Sequence, residues 1–409
     1  MLARLTALLL ICMLCPIGVA DDWPQFLGPT RDGISSETGL IDSFPESGPK
    51  QLWRVPGGVG MSGIAIVDAT ACTLVQKEDQ QFVIALNADS GEQLWQTPIA
   101  SAYMNPMGDG PRATPSIAEG RVFAYSGEGI LVALDLKSGK ILWQKHPVKD
   151  FSGKPAEYGM ACSPVVAGDN VIVTVGARTA TLAAYDVASG KLAWKLGTDD
   201  TAGYSSPALR TLGGQQQLVA YTGKSVVGCR PNSGDLLWRY PYETDYDCNI
   251  ATPLAVNDTV FISSGENHGC ALLKPNSAGQ VDVLWESHDA QSVLRNEWQT
   301  SILIDGFLYG FDNVGSAGPV TNFACVEVAT GKQMWLQRRF GKGNLIAADG
   351  KLWLTTMAGE LVLLKPSPQE FIEMSRAQVM QTTRQAPALA NGRLFVRDGA
   401  EIICFDVRR

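Results

Sequence analysis

One eleven-residue stretch recurs along this chain and limits the folds open to it: ALDLKSGKILW, from Ala133 to Trp143. It reads as a strand, a tight turn at Ser138-Gly139 and a second strand closed by tryptophan. Asp135 and Ser138 can bond nearby backbone groups, and Gly139 supplies the positive φ that a short hairpin needs. Ala85 to Trp95 (ALNADSGEQLW), Ala184 to Trp194 (AYDVASGKLAW), Gly228 to Trp238 (GCRPNSGDLLW) and Cys325 to Trp335 (CVEVATGKQMW) repeat it in register, and a looser copy ends at Trp285. Self-similarity at a fixed spacing points to repeated supersecondary units rather than to separate domains.

Trp53, Trp95, Trp143, Trp194, Trp238, Trp285 and Trp335 fall roughly 40 to 50 residues apart, the period of four-stranded propeller blades. Each interval has the same grammar. A Ser/Thr-Pro strand opens it (Thr114-Pro115, Ser163-Pro164, Thr252-Pro253), then a Gly or Asn-Asp turn, an alternating strand such as Arg121 to Tyr125, and the motif itself. Turns this short leave no room for crossover helices. The seventh unit keeps its strands from Leu345 to Lys365, but Met374 stands roughly where the tryptophan belongs. The last stretch, Ala386 to Asp406, supplies three strands, and Gln51 to Val55 supplies the missing fourth. The expected fold is therefore all-β: an eight-bladed propeller of four-stranded antiparallel blades, closed by an N-terminal strand joining the last blade. Closure removes sheet edges.

The expected boundaries are a signal peptide over residues 1–20, an extended lead-in over 21–50 and one propeller domain over 51–409. Arg4, the apolar run Leu5 to Val19 and the small residues Gly18-Val19-Ala20 form the leader, with cleavage near Ala20. Neither Cys12 nor Cys15 follows the small residue that a lipoprotein signal places there, so a soluble periplasmic or secreted protein without a transmembrane span is expected. Of nine cysteines, two lie in the leader; the remaining seven are an odd number, so at least one thiol stays unpaired. Cys325 and Cys404 fall where other copies carry alanine and read as small buried side chains. A net charge of −8 with no basic run argues against a nucleic-acid partner. Trp23 and Phe26 in the lead-in read as aromatic anchors.

The pattern Ala-x-Asp-x-x-Ser/Thr-Gly-Lys-x-x-Trp, as in Ala133 to Trp143, resembles the tryptophan-docking repeat of pyrroloquinoline quinone (PQQ)-type propellers. That superfamily holds quinoprotein alcohol dehydrogenases and also the lipoprotein scaffold of the outer-membrane β-barrel assembly machine. The lead-in from Asp22 to Gly33 (DWPQFLGPTRDG) is similar to the start of many secreted bacterial propellers of this group. The resemblance covers nearly all of the chain after the leader. It implies that the tryptophans pack between neighbouring blades, and it is specific for fold rather than for cofactor.

Propellers bind at the channel mouth, through loops leading into the innermost strands. This register brings Arg112, Tyr158, Tyr204, Asp247, Asn249, Asn296, Trp298, Lys342 and Arg384 there. Arg112, Asn249, Asn296, Trp298, Lys342 and Arg384 are the candidate cofactor-binding set, suited to a planar anionic ligand. The alternative is an ordinary wet mouth with both arginines paired to carboxylates. Asp245 to Asn249 puts three oxygen side chains on one face of an extended segment; Ile250 stands where a Ca²⁺ loop has its turn glycine, so a solvated loop is the default. His146, His268 and His288 show no metal spacing, and Glu266 to Cys270 reads as a blade turn.

The resemblance to the dehydrogenases implies PQQ with Ca²⁺, a disulfide between adjacent cysteines and an aspartate base. No two cysteines are adjacent here, and no Cys-x-x-Cys-His haem site is present. Two functions follow as expectations. One is a non-catalytic, monomeric scaffold that holds an envelope protein or a small ligand. The other is a PQQ-dependent alcohol or sugar dehydrogenase with its cofactor at the channel mouth. No catalytic residue is assigned.

Overall fold

The computed structural model describes residues 21–315 and 320–409, so the leader lies outside the described residues. Eight four-stranded antiparallel sheets form the ring. Blades 1 to 7 span residues 65–101, 116–145, 165–196, 208–241, 254–288, 302–337 and 343–378. Blade 8 combines three strands within 388–406 with Lys50–Pro56, which pairs antiparallel with Glu401–Asp406. The closure expected from the sequence is present. No helix among the described residues is long and apolar enough to cross a membrane.

Burial follows position within the blade. Leu131–Asp135, a third strand, is buried along nearly its whole length, whereas the outer strand Ile141–Lys145 buries only Trp143. Inner strands are covered on both faces by neighbouring blades and so carry continuous apolar runs. The apolar core is accordingly divided into clusters that lie between blades, such as Phe123, Tyr125, Val171 and Val173 between blades 2 and 3.

The repeated turn is built as its sequence requires. The Asp135 carboxylate accepts from the Ser138 backbone N–H (2.8 Å) and hydroxyl (2.6 Å), and Gly139 follows at φ +68°. Asp186 and Ser189 repeat the arrangement. Hydroxyl and backbone donors hold both carboxyls below the usual carboxylate range. A depressed folded-state pKa gives stability that is present above the unfolded value and lost as pH falls through the folded one. Unfolding midpoints measured between neutral pH and about pH 3 should therefore fall less steeply for Asp135→Asn/Asp186→Asn than for the parent. Coincident slopes would show that these turns do not contribute. The comparison needs the variant, because burial raises Glu37 and Glu297 and gives them the opposite sign.

Six of the seven spaced tryptophans dock in one way. The indole N–H of Trp53, Trp95, Trp143, Trp194, Trp285 and Trp335 donates to Ala88, Leu136, Val187, Pro231, Val328 and Ser367 O of the next blade, at 2.7–3.1 Å. The turn glycine of the next blade lies on the ring: Gly190 has no space for a Cβ because Trp143 fills it. Trp238 differs. It covers Gly228 of its own blade, where other copies have Ala, Cys or Leu, and donates to Gln217 Oε1 at 2.7 Å.

Blade 7 needs a one-residue correction. Leu363 pairs with Ser375, as Ala133 pairs with Trp143, so Ser375 holds the tryptophan position and Met374 is the bulged residue before it. The next blade's third and fourth strands there come from the two chain ends, so no connecting turn exists for an indole to cover. The lead-in takes over both contacts. Phe44 N donates to Ser375 Oγ (3.1 Å), and Ile41 N takes the docking carbonyl, Val407 O (2.8 Å).

The remainder of the lead-in is a series of turns, not simply an extended strip. Trp23 exchanges backbone bonds with Ile66 of blade 1, and Pro24 O accepts from Ile117 of blade 2. Arg31 is buried; it donates to Gln25 Oε1 and the Ser163 and Pro207 carbonyls at 2.8–3.0 Å, and also bonds Pro164 O. Burial pushes its guanidinium down to about 9, leaving it charged at neutral pH. Arg210 of blade 4 holds this turn from outside through Thr30 O (2.7 Å) and Arg31 O (2.8 Å). Ile34 then bridges Ala347 of blade 7. The segment crosses the ring and plugs one end of the channel.

Candidate functional site

The Ser/Thr-Pro openings lie around the channel and tie neighbouring blades together. Gly63 N donates to Thr114 Oγ1, Thr114 N to Ser163 Oγ, Ser163 N to Ser206 Oγ and Thr252 N to Thr300 Oγ1, at 2.9–3.0 Å. The strand register makes these residues equivalent, with Asn344 and Ala386 completing the tier. Two residues earlier in each blade lies a second tier: Met61, Arg112, Ala161, Tyr204, Ile250, Trp298, Lys342 and Arg384. Alternate residues of an extended segment share a side, which is why both tiers face the axis.

All of the second tier except Lys342 lines a cavity of about 420 Å³ at the mouth. Phe26 of the plug lines it too, so the channel is blind rather than a pore. Tyr158, Tyr246, Cys248, Glu266, Glu297 and Met107 add further wall.

The six candidate binding residues separate into two groups. Arg112, Trp298 and Arg384 line the cavity, with Lys342 beside them: Lys342 Nζ lies 4.6 Å and the Arg384 guanidinium carbon 4.9 Å from the Trp298 ring centroid. Asn249 and Asn296 are buried in the wall instead. Asn249 Nδ2 donates to Thr222 O (2.7 Å) and Tyr242 O (3.2 Å), while Oδ1 accepts from Thr244 and Ser264 hydroxyls. Asn296 Nδ2 donates to Phe311 O (3.0 Å) and Oδ1 accepts from Ser301 (2.9 Å). Asp245 to Asp247 is a 3₁₀ turn rather than an extended run, with Tyr246 and Asp247 at φ 57°. Among the described residues no group of three or more His, Cys, Asp or Glu is placed to hold a metal ion.

The cations of the mouth are engaged by the protein. Arg112 donates to Tyr158 O (2.6 Å) and Gly108 O (2.5 Å), also bonds Gly110 O, and lies 4.5 Å from the Tyr103 ring centroid. Burial lowers its pKa, with Tyr103 and Asp109 opposing the shift. Its acceptors are carbonyls, not the carboxylates that an ordinary wet mouth would supply. Lys342 pairs with Glu297 at 2.7 Å. Arg384 reaches across to Met107 O (2.8 Å), and Asn344 holds its backbone carbonyl (3.0 Å).

The opposite wall is acidic and aromatic. Tyr158 and Tyr204 stack at 5.7 Å between centroids, and Tyr246 lies 6.4 Å from Tyr158. Burial first, then the carboxylates of Glu266, Glu297, Asp247 and Glu157, push the Cys248 thiol up to about 12. Sequence reasoning did not name Met61, Ala161, Ile250, Glu266 and Glu297 as residues of the mouth, having read Ile250 only against a Ca²⁺ loop and Glu266 as part of a blade turn. The first three occupy the same register as Arg112 and Trp298, so equivalence between blades was the available signal; a search for polar residues discarded it.

The donor set does not fit PQQ with its Ca²⁺. The seven described cysteines are all unpaired, so no disulfide stands at the mouth, and Glu297 is committed to Lys342.

Eight blades, docking indoles and a plugged channel define a propeller of the PQQ-like repeat class. Residues 78–337 match the family profile PQQ_2, described as outer membrane protein assembly factor BamB. The chain belongs to this family. It is 22% identical to the outer membrane protein assembly factor BamB of Yersinia pestis over 368 residues, covering 86% of this chain and 76% of that one. A 138-residue stretch, 31% of this chain, is 32% identical to the quinohemoprotein alcohol dehydrogenase ADH IIB of Pseudomonas putida but spans only 19% of that enzyme. Among solved structures, BamB from Moraxella catarrhalis superposes with a TM-score of 0.60 at 14% identity, covering 87% of this chain and 99% of that one. Quinohemoprotein alcohol dehydrogenase from Comamonas testosteroni gives 0.67 at 14%, covering 94% and 80%. Both likenesses show the shared fold.

Proposed function

We propose that this protein is exported and acts in the cell envelope as a non-catalytic scaffold, holding a partner protein at the open mouth of its channel. One observation carries the reading: the rim projects large apolar side chains into solvent. Met104 is 69% exposed, Tyr246 61%, Met107 48% and Val59 44%. Clustered exposed apolar groups with a polar surround mark interaction surfaces, and methionine adapts to irregular partner surfaces. Family membership supports the same reading, because the matched family profile and the Yersinia pestis relative are both described as outer membrane protein assembly factor BamB.

The test is photo-crosslinking in cells that express the full chain, with a photoreactive amino acid at Met107 or Tyr246 and, as control, at Lys137 in the turn on the opposite face. Adducts to a discrete envelope protein from the mouth positions, absent from the control, are expected. Adducts from Lys137 alone would move the interaction to the other face. Alcohol oxidation by purified protein supplied with PQQ and Ca²⁺ would replace the scaffold reading with a dehydrogenase.

A further inference from the structure

One buried carboxylate lacks the cation that burial calls for. Glu37, late in the lead-in, is 4% exposed and makes no ion pair among the described residues. Its Oε2 accepts from Gly392 N in a blade 8 turn at 2.5 Å, while Oε1 is buried with no hydrogen bond. The arginines at that turn are committed elsewhere, Arg393 to Asp89 and Arg408 to Asp406. Buried charges are ordinarily paired, because an isolated one is costly. Burial raises the Glu37 pKa, and the backbone N–H groups that oppose the rise include that of Asp21, beside those of Gly392 and Asn391. Asp21 is held in place from several directions. Ser36 Oγ donates to its carboxylate, Asp22 Oδ1 accepts from Asp68 N of blade 1 (2.9 Å), and Trp23 exchanges backbone bonds with Ile66. The two ends of the lead-in thus meet between blades 8 and 1, with the Asp21 nitrogen turned to an acid that has no cation.

We propose that removal of the leader after Ala20 installs the missing cation: the new α-ammonium of Asp21 forms a buried ion pair with Glu37 that locks the lead-in onto the closed ring. The inference rests on the export reading above and adds what processing does to the fold. The step is hydrolysis by a leader peptidase. Water adds across the Ala20–Asp21 amide; its oxygen leaves on the Ala20 carboxylate with the leader, and both of its protons end on the Asp21 nitrogen. A nitrogen that offered one amide N–H becomes a cation with three donors, charged at neutral pH. Processed and unprocessed chains therefore differ by a full charge beside Glu37, and only the processed chain can pair the acid.

The test begins with the intact mass of the protein recovered from the cell envelope after expression of the full chain, which should start at Asp21. Urea unfolding then compares this processed protein with a form expressed without the leader that keeps Met-Ala before Asp21, each in the parent and in the Glu37→Gln background. The extension should lower the folding equilibrium constant at least about tenfold in the parent and leave it unchanged in Glu37→Gln. The α-amine of the processed parent should also acylate severalfold more slowly than that of processed Glu37→Gln, a readout that stands if the extended form fails to fold. An equal effect of the extension in both backgrounds, or equal acylation, would overturn the ion pair while leaving export intact. A mass that starts at another residue would overturn the proposal at its first step, and a retained leader would take the export reading with it. Crosslinks from Met107 test the partner independently of either result.

Discussion

Replacing Arg31 with alanine is expected to destabilise the fold by about 4 kcal/mol, more than any surface change in the molecule. The side chain is 1% exposed and donates to acceptors in the plug and in blades 2, 3 and 4. Each buried acceptor left without a donor costs about 1–3 kcal/mol, and these costs are not additive. The vacated volume adds a cavity penalty. Arg31→Met separates the two, since it keeps most of the volume and removes only the donors. Urea unfolding followed by tryptophan fluorescence should place both variants well below the parent, with methionine between. An unchanged midpoint for Arg31→Ala would mean that the plug is not integral to the ring.

The second large effect belongs to the docking tryptophans. Trp143→Ala should cost about 3–5 kcal/mol, the range for removing a buried aromatic side chain. The indole is 8% exposed, packs on Gly190 of the next blade and donates to Val187 O at 3.1 Å. Trp143→Phe keeps an aromatic ring but loses the N–H, and should forfeit about 1 kcal/mol through the hydrogen bond, together with some packing. Midpoints from the same unfolding assay decide the order. If alanine and phenylalanine behave alike, the ring itself does not hold blades 2 and 3 together.

Most of the fold could be read from the chain because each blade repeats the same local solution. Asp135, Ser138, Gly139 and Trp143 each have a separable local role, and their recurrence at Asp186, Ser189, Gly190 and Trp194 turns a weak turn signal into an architecture. The exceptions were harder to read because they depend on contacts distant in sequence. That Ser375 lacks a tryptophan is intelligible only once Ile41 and Phe44 are seen to occupy the docking position. Trp238 turns toward Gln217 because Gly228 leaves space above its own blade, which the spacing of tryptophans does not reveal. At the mouth, Arg112, Trp298, Lys342 and Arg384 were recoverable from register. Asn249 and Asn296 were not separable from them by residue type, since what holds each in the wall is a bond to a carbonyl distant in sequence, Thr222 O and Phe311 O.

The join between Lys50–Pro56 and Glu401–Asp406 sets the order of events in synthesis. The strand made first in the ring waits through more than 340 residues for its partner, so the ring stays open until Glu401–Asp406 has been made. Until then, Lys50–Pro56 remains an open edge and the docking carbonyl of Val407 does not yet exist for Ile41. Contacts of such long sequence separation slow folding, and unpaired edges invite aggregation during the delay. A chain that closes in this way depends on Glu401–Asp406 for the partner of its first ring strand, and loss of that strand should release the whole ring rather than trim one blade.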